Sequence, residues 1–429
     1  MKNDPRSHGL WEATAPSAPV TPPLRADQTV DVAVVGAGYT GLSAALHLAA
    51  GGARVTVLEA EEVGFGGSGR NVGLVNAGMW VMPEELPNVL GQTYGARLLD
   101  VLGNAPNLVF DLIQRHAIDC QANRVGTLHC SVGRRGLEEI TERARQWATL
   151  KAPVQLLDAA ATRARTGSDA YSGALLDLRA GTIQPLAYAR GLARAALNAG
   201  ATVHTQTPVV AAHDQGTHWE LRTQGGATVR ATWVIVASNA YSNLDGPWAS
   251  LREELVRLPY FNMATVPLAP ELRKQILPEG QGVWDTRQVL SSFRYDAAGR
   301  LVFGSVGALS GAGQRIHTQW GRRALAKIYP ALKDIAFEHE WYGTIGMTSD
   351  ALPRLHRPAR NTVSFSGYNG RGIAPGTVLG RELAQLVLGN KAEEDLPLPV
   401  STVQRASLRR VRECWYECGA RLVHGMGAR

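Results

Sequence analysis

Residues 31–59 read DVAVVGAGYTGLSAALHLAAGGARVTVLE: a strand, a glycine turn, a helix and a second strand in one unbroken run. The apolar stretch Val32–Val35 leads into Gly36-x-Gly38-x-x-Gly41. Leu42, Ala45, Leu46 and Ala49 then recur at helical spacing, and Val55 and Val57 alternate up to Glu59. Each part has a physical task. Gly36 permits the tight turn, Gly38 lets the backbone approach a pyrophosphate, and Gly41 lets helix and strand close up. The helix start offers free N–H groups and a partial positive charge to the phosphates. Glu59 follows Gly41 by 59 − 41 = 18 residues, at the end of the second strand. A carboxylate there accepts hydrogen bonds from ribose hydroxyls and repels a 2′-phosphate, which favours FAD or NAD over NADP. Tyr39 and Thr40 inside the turn and Ala60 beside the acid complete the expected contact set.

A chain of 429 residues has room for two or three domains, and 45% hydrophobic residues supply sizeable cores. The charge balance, 44 − 37 = +7, is carried by scattered arginines, and lysine is scarce. That pattern does not predict a nucleic-acid groove. No apolar run reaches the ~18–20 residues needed to span a membrane. The N-terminal stretch is polar, rich in proline and without the apolar core of a signal peptide, so it reads as an extended arm of a cytoplasmic protein. Cys120, Cys130, Cys414 and Cys418 are too few for a disulfide framework. Cys414 and Cys418 share one side of an expected helix over Ser407–Leu422, with His424 just beyond it. The second CxxC pair of a structural metal site is missing, so they read as buried packing cysteines and no metal is expected.

Along the chain, Gly64-Phe-Gly-Gly-Ser-Gly-Arg-Asn-Val-Gly73 is a loop dense in glycine. Residues 84–118 read as mostly helical, Thr127–Val132 as a strand, 135–150 as a polar helix and Pro185–Ala199 as a helix closed by Gly200. Short strands follow at Thr202–Thr205, Val209–Ala212, Trp219–Thr223 and Thr228–Ala231. The apolar run Trp233–Ala237 reads as a buried parallel strand. Residues 255–340 are β-rich, with a hairpin at Phe293–Tyr295 and Leu301–Gly304 across Asp296–Gly299. Gln319–Ile328 reads as a helix. Strand Val363–Ser366 enters a second glycine turn, Gly367–Ile373, and a helix over Pro375–Leu388 with Gly389 after its end. One strand-to-glycine turn therefore lies near each end of the chain.

Together these features resemble the D-amino-acid-oxidase-like family of FAD-dependent oxidoreductases, over roughly 28–390, and within it the γ-glutamylputrescine-oxidase-type subgroup. The residues that carry the resemblance are Val34–Ser43, Gly64–Asn71, Trp341-Tyr-Gly-Thr-Ile-Gly-Met-Thr-Ser-Asp350, Gly367–Ile373 and the early Leu10–Ala15. The resemblance implies an α/β fold with an α+β second domain. A Rossmann-like FAD-binding domain would be assembled from 27–82, 153–248 and 340–390. An antiparallel-sheet substrate domain (83–152 and 249–339), an N-terminal arm (1–26) and a C-terminal helical tail (391–429) would complete it. Gly36, Gly38, Gly41 and Glu59 would hold the ADP half. Ser68, Gly69, Arg70 and Asn71 would wrap the diphosphate, ribityl chain and isoalloxazine edge, with Gly66, Gly67 and Gly73 as further cofactor contacts. Val209 and Val210 would meet the adenine, and Ala237 would also contact the cofactor. Gly343, Gly367, Gly370, Arg371, Gly372 and Ile373 would line the pyrimidine side. Val72 departs from the pattern, because relatives carry a glycine there. A helix start near Ile373–Pro375 would stabilise the charge that reduced flavin gathers at N1 and the C2 carbonyl, worth ~0.3–2 kcal/mol.

The resemblance also implies the reaction: hydride transfer to the flavin from a C–H bond beside an amine nitrogen, giving an imine that water hydrolyses. No catalytic dyad is evident, and His116, His129, His213 and His218 read as surface or packing residues. Relatives that oxidise amino acids carry an arginine shortly after Trp-x-Gly, to grip the α-carboxylate in a bidentate pair. Here that position is Ile345, which cannot pair a carboxylate. The expected substrate is therefore an amine without an α-carboxylate, such as a γ-glutamylated diamine, unless Arg294 or Arg371 grips the acid from elsewhere. Tyr260, Phe261, Trp284, Phe293 and Tyr342 are the expected aromatic wall, with Tyr260, Tyr342, Ile345 and Arg371 as candidates for substrate contact.

Competing readings are an amino-acid oxidase or dehydrogenase acting on glycine, sarcosine or a D-amino acid, a non-catalytic flavin-bound interaction subunit, and an NAD enzyme; the Arg-rich helix 405–421 reads as a solvated face, with docking of a partner as its alternative. Oxygen or a quinone is the expected electron acceptor. The oligomeric state is left open.

Overall fold

Val32, Ala33 and Val34 are buried on both faces, the pattern of a central parallel strand. The computed structural model describes residues 7–242 and 245–427. In it these residues lie in strand Gln28–Val35, flanked in parallel by Val55–Leu58 and by Thr228–Val236. Thr202–His204 extends the sheet beyond Val55–Leu58, and Thr362–Ser366 extends it beyond Thr228–Val236, both in parallel. Arg354–Ala359 closes that edge antiparallel. One face of the sheet is covered by helices Tyr39–Ala50, Leu86–Arg115, Pro185–Asn198 and Ile373–Val387. The other meets a small antiparallel extension of Val209–Asp214 and Trp219–Thr223. Pro185 opens its helix where a missing N–H costs nothing, and the Gln184 side chain accepts from Ala187 N at 2.6 Å.

A second sheet runs in the order Phe337–Met347, Val256–Pro267, Arg300–Val306, Ser291–Tyr295, Gly282–Asp285, Thr127–Cys130, Ala174–Asp177, Val154–Leu157. Its pairings are antiparallel except for Gly282–Asp285 with Thr127–Cys130. The expected hairpin is present, with Gly299 at φ 82° closing its turn. Phe261, Met263, Phe293 and Phe303 point to the back of this sheet, where helix Ala312–Ile328 covers them. Helix Arg409–Met426 lies outside that helix, with His424 stacked on Trp320.

Several sequence expectations change. Thr228–Ala231 and Trp233–Ala237 are one strand, Thr228–Val236. Along one edge it pairs with Gln28–Val35 throughout; along the other its first half pairs with the extension and its second half with Thr362–Ser366. Val154–Leu157, Ala174–Asp177 and Phe337–Met347 belong to the second sheet rather than to the dinucleotide unit. Pairing of distant strands decides this, and no local pattern records it. Helix Leu86–Arg115 bends at Gly91, φ 76°. The N-terminal arm is not simply extended: Leu10–Thr14 is a short helix, and Leu10 and Trp11 are wholly buried. Residues 1–6 of that arm, and 428–429 of the tail, lie outside the described residues. Cys414 and Cys418 are exposed, not packed, while Cys120 and Cys130 are buried. Among the described residues no helix is long and apolar enough to cross a membrane.

Candidate active site

The two glycine turns meet. Thr40 Oγ1 lies 2.7 Å from Tyr368 Oη, and Ser43 Oγ donates to the Thr377 carbonyl at 2.6 Å. The helices behind the turns touch through glycine: a methyl on Gly380 would overlap the Thr40 carbonyl, and one on Gly41 would overlap the Gly36 carbonyl. Gly41 therefore works as the sequence implies, by letting helix and strand close up, and it does not line the cavity they enclose.

That cavity measures about 1100 Å³, larger than the ~300–1,000 Å³ typical of a small-molecule site. At one end lie Glu59, Ala60, Val209 and Val210; Gly36, Gly38, Tyr39, Thr40 and Ala237 follow. The floor is bare backbone. A Cβ on Gly36 would come within 3.1 Å of the Ala237 main chain, and one on Gly38 within 3.0 Å of Ser68 Oγ. Glu59 Oε2 accepts from Ala37 N at 2.7 Å and Oε1 from Glu61 N at 3.0 Å. Lone pairs remain on both oxygens for ribose hydroxyls. Burial pushes the Glu59 carboxyl pKa up, against the pull of those backbone hydrogen bonds.

Gly66, Gly67, Ser68, Arg70 and Asn71 line the middle. Ser68 Oγ accepts from Tyr39 N at 3.1 Å, and Asn71 Nδ2 donates to the Gly67 carbonyl at 2.9 Å. The arm pins this loop from outside: Trp11 Nε1 donates to the Asn71 carbonyl at 2.8 Å and stacks edgewise on Trp341. The buried Arg70 side chain donates to the Phe65 carbonyl and, through Nε, to the Ser7 carbonyl at 3.2 Å. Gly69, Gly73 and Gly367, expected as contacts, do not line the cavity. Gly69 and Gly73 are crowded by the Gly64 and Ile183 carbonyls, and Gly367 holds φ 77°, so all three shape the backbone instead.

At the far end, Gly343, Ile345, Gly370, Arg371, Gly372 and Ile373 face Tyr260, Trp284 and Ser292 of the second sheet. Tyr260 Oη lies 2.6 Å from Ser292 Oγ. A Cβ on Gly370 would sit 3.3 Å from Ile345 Cδ1, so the aliphatic side chain abuts the second glycine turn. Phe261, Phe293 and Tyr342 miss the cavity. Side chains alternate along a strand, and these three point into the rear core, where Phe261 pairs across from Tyr342. Arg294 is buried elsewhere. Its Nη1 donates to the Ile183 carbonyl and its Nε to Tyr295 O at 2.8 Å, and burial lowers its pKa to about 10.

Trp80, Tyr241, Tyr368, Asn76 and His129 also line the cavity. The sequence offered no pattern for Trp80, in an irregular stretch, or for Tyr241, at the end of the 3-10 turn Asn239–Tyr241. His129, expected at a surface or in packing, stacks on Trp284 with ring centroids 3.4 Å apart. The C-terminal cysteines and His424 do not converge: Cys414 and Cys418 face outward, while His424 Nδ1 meets His317 Nδ1 at 2.7 Å. Among the described residues His8, Glu12 and Glu62 approach one another, and Glu12 is already paired with Arg190 at 2.7 Å.

The arrangement can seat a long dinucleotide along the first sheet, with a small molecule beside its far end. Comparison with known proteins agrees. Residues 31–386 match the family described as FAD dependent oxidoreductase (DAO). The probable oxidoreductase OrdL of Rhizobium meliloti (strain 1021) is 33% identical over 95% of this chain and 96% of its own length. The gamma-glutamylputrescine oxidoreductase of Escherichia coli (strain K12) is 32% identical over 92% and 93%. Among solved structures, glycine oxidase from Geobacillus kaustophilus superposes with a TM-score of 0.71 at 22% identity, covering 87% of this chain and 98% of that one. L-proline dehydrogenase from P. horikoshii gives 0.70 at 17% identity, covering 91% and 97%. This chain belongs to the DAO family of FAD-dependent oxidoreductases.

Proposed function

We propose that this enzyme oxidises the C–N bond of an amine without an α-carboxylate, giving an imine that water hydrolyses to an aldehyde. γ-Glutamylputrescine or a related acylated diamine is the proposed substrate. The observation that carries the reading is Ile345: an aliphatic side chain stands against the second glycine turn at the cavity wall. An unpaired carboxylate beside it in a closed site would cost several kcal/mol. The similarity to a gamma-glutamylputrescine oxidoreductase supports the same substrate class.

FAD, when bound, accepts the hydride; the chain's residues do the rest. In this proposal Gly36, Gly38 and the start of helix Tyr39–Ala50 meet the diphosphate, and Glu59 the adenosine ribose. Gly66, Gly67, Ser68 and Asn71 hold the middle of the cofactor. Gly343, Gly370, Gly372 and Ile373 border its ring, with the start of helix Ile373–Val387 facing the charge that develops there. Tyr260, Trp284 and Ile345 wall the substrate away from water, which keeps a bound amine neutral and its carbon in place.

A second reading, oxidation of glycine, sarcosine or a D-amino acid, gains support from Arg371, a buried guanidinium in the same wall. Anaerobic titration separates the two, read as loss of flavin absorbance. γ-Glutamylputrescine and simple diamines should bleach the flavin, and glycine and D-alanine should not. Bleaching by glycine or D-alanine alone would overturn the Ile345 argument.

A further inference from the structure

A buried guanidinium normally has a carboxylate partner, because removing its charge from water is costly. Arg371 is 9% exposed, and among the described residues no carboxylate pairs with it directly; Asp177 and Glu139 act on it only from a distance. Its Nη1 donates to the Ala77 carbonyl at 3.0 Å. The group lies 4.8 Å from the Trp80 ring centroid and 4.7 Å from that of Trp284. Its Nε and Nη2 find no hydrogen-bond partner among the described residues. Those two nitrogens form one edge of the planar fork, the edge that meets a carboxylate through two parallel N–H···O bonds. Beside it His129, 3% exposed, has no hydrogen-bond partner at either ring nitrogen among the described residues. Burial holds its pKa well below the usual histidine range, so the neutral ring can donate one N–H. Asn76, His129, Trp284 and Arg371 line both the main cavity and a second void of about 20 Å³ behind it, room for about one water or one small polar oxygen.

We propose that this wall is an anion subsite: the Nε–Nη2 edge of Arg371, with His129 as an added donor, receives a carboxylate carried at the end of the substrate remote from the reacting amine. The inference rests on the reading above. With Ile345 where an α-carboxylate would need its partner, the acid that pairs Arg371 belongs to the other end of the molecule. The substrate class is then an amine whose carbon chain ends in, or is acylated by, a carboxylate-bearing group. Trp80 and Trp284 hold the guanidinium plane in place for that fork, so a lysine at 371 could not replace it.

The test compares γ-glutamylputrescine with N-acetylputrescine, which keeps the amine and the amide but lacks the acid. On the wild-type holoenzyme, kcat/KM should favour the acid-bearing amine by about 100-fold, as expected for a buried charged pair. Glutarate should perturb the flavin absorbance and compete with γ-glutamylputrescine. In Arg371→Gln and Arg371→Lys the preference should collapse and the glutarate-induced spectral change should vanish. Equal use of the two amines by the wild-type enzyme overturns the subsite, whether or not the variants fold. An unchanged preference in Arg371→Gln does the same. Both results leave amine oxidation standing. Flavin bleached by glycine or D-alanine and by neither amine overturns the proposed function, and the subsite with it.

Discussion

Trp11→Ala tests whether the N-terminal arm is part of the flavin site. Trp11 is wholly buried, stacks edgewise on Trp341 with centroids 5.4 Å apart, and donates to the Asn71 carbonyl at 2.8 Å. Its own carbonyl accepts from Gln184 Nε2 at 2.9 Å. Truncating a buried Trp costs ~3–5 kcal/mol. The arm can also simply undock, which caps the loss at the free energy of its own docking. For 429 residues, at ~2.1 cal/mol/K each, the unfolding entropy is ~0.9 kcal/mol/K. The melting temperature should therefore fall by about 3–6 °C. Trp11→Phe keeps most of the buried ring and loses the donor, worth ~0.5–1.5 kcal/mol, or roughly 1 °C. Because Asn71 lines the cavity, both variants should also lose flavin faster on dialysis, Trp11→Ala more so. Differential scanning calorimetry and flavin absorbance after dialysis measure the two effects. If Trp11→Ala melts within 1 °C of wild type, by the same ~0.9 kcal/mol/K scale, and retains its flavin, the arm has no role in holding the loop.

Other outcomes follow from single contacts. Gly41→Ala should purify with little flavin and reduced stability, by ~1–3 kcal/mol, because its methyl would overlap the Gly36 carbonyl; a yellow, fully stable variant would refute the close-packing role. Glu59→Gln should weaken FAD binding by about tenfold or more, through loss of charge-assisted hydrogen bonds worth ~1.5–3 kcal/mol; isothermal titration of apoprotein with FAD measures it. Burial, with Arg421 nearby, holds His317 down to about 4, and burial, His317 and Arg323 hold His424 down to about 3. The unfolded chain then binds protons that the folded one refuses. Stability from this pair is complete above about pH 6.5 and declines as pH falls toward 4 and 3. The wild-type melting temperature should drop more steeply between pH 6.5 and 4.5 than that of His317→Gln, and parallel curves would remove the histidine pair as the cause.

Much of the cofactor half was legible in the sequence because its chemistry is local. A turn that must bring bare backbone against a phosphate demands Gly36 and Gly38. A helix that must lie against its strand demands Gly41. A ribose contact demands an acid one strand later. These constraints act over 31–59, so the spacing alone carries them, and the second turn at 367–373 reads the same way. The substrate half was only partly legible. Tyr260, Trp284, Ile345 and Arg371 reach the cavity, whereas Phe261, Phe293 and Tyr342, next to wall positions in sequence, face the rear core. A strand turns alternate side chains to opposite faces, and which face becomes the wall depends on what packs behind it. Here that is Ala312–Ile328, far along the chain. The arm around Trp11, the joining of Val154–Leu157 to the second sheet, and the unpartnered fork of Arg371 beside His129 likewise arise from contacts between residues remote in sequence. The sequence by itself carried the dinucleotide turn, its helix and the acid one strand later, since backbone freedom and short-range spacing suffice for that. Only the tertiary structure decided which side chains share the far wall of the cavity, because that depends on the register and packing of strands hundreds of residues apart.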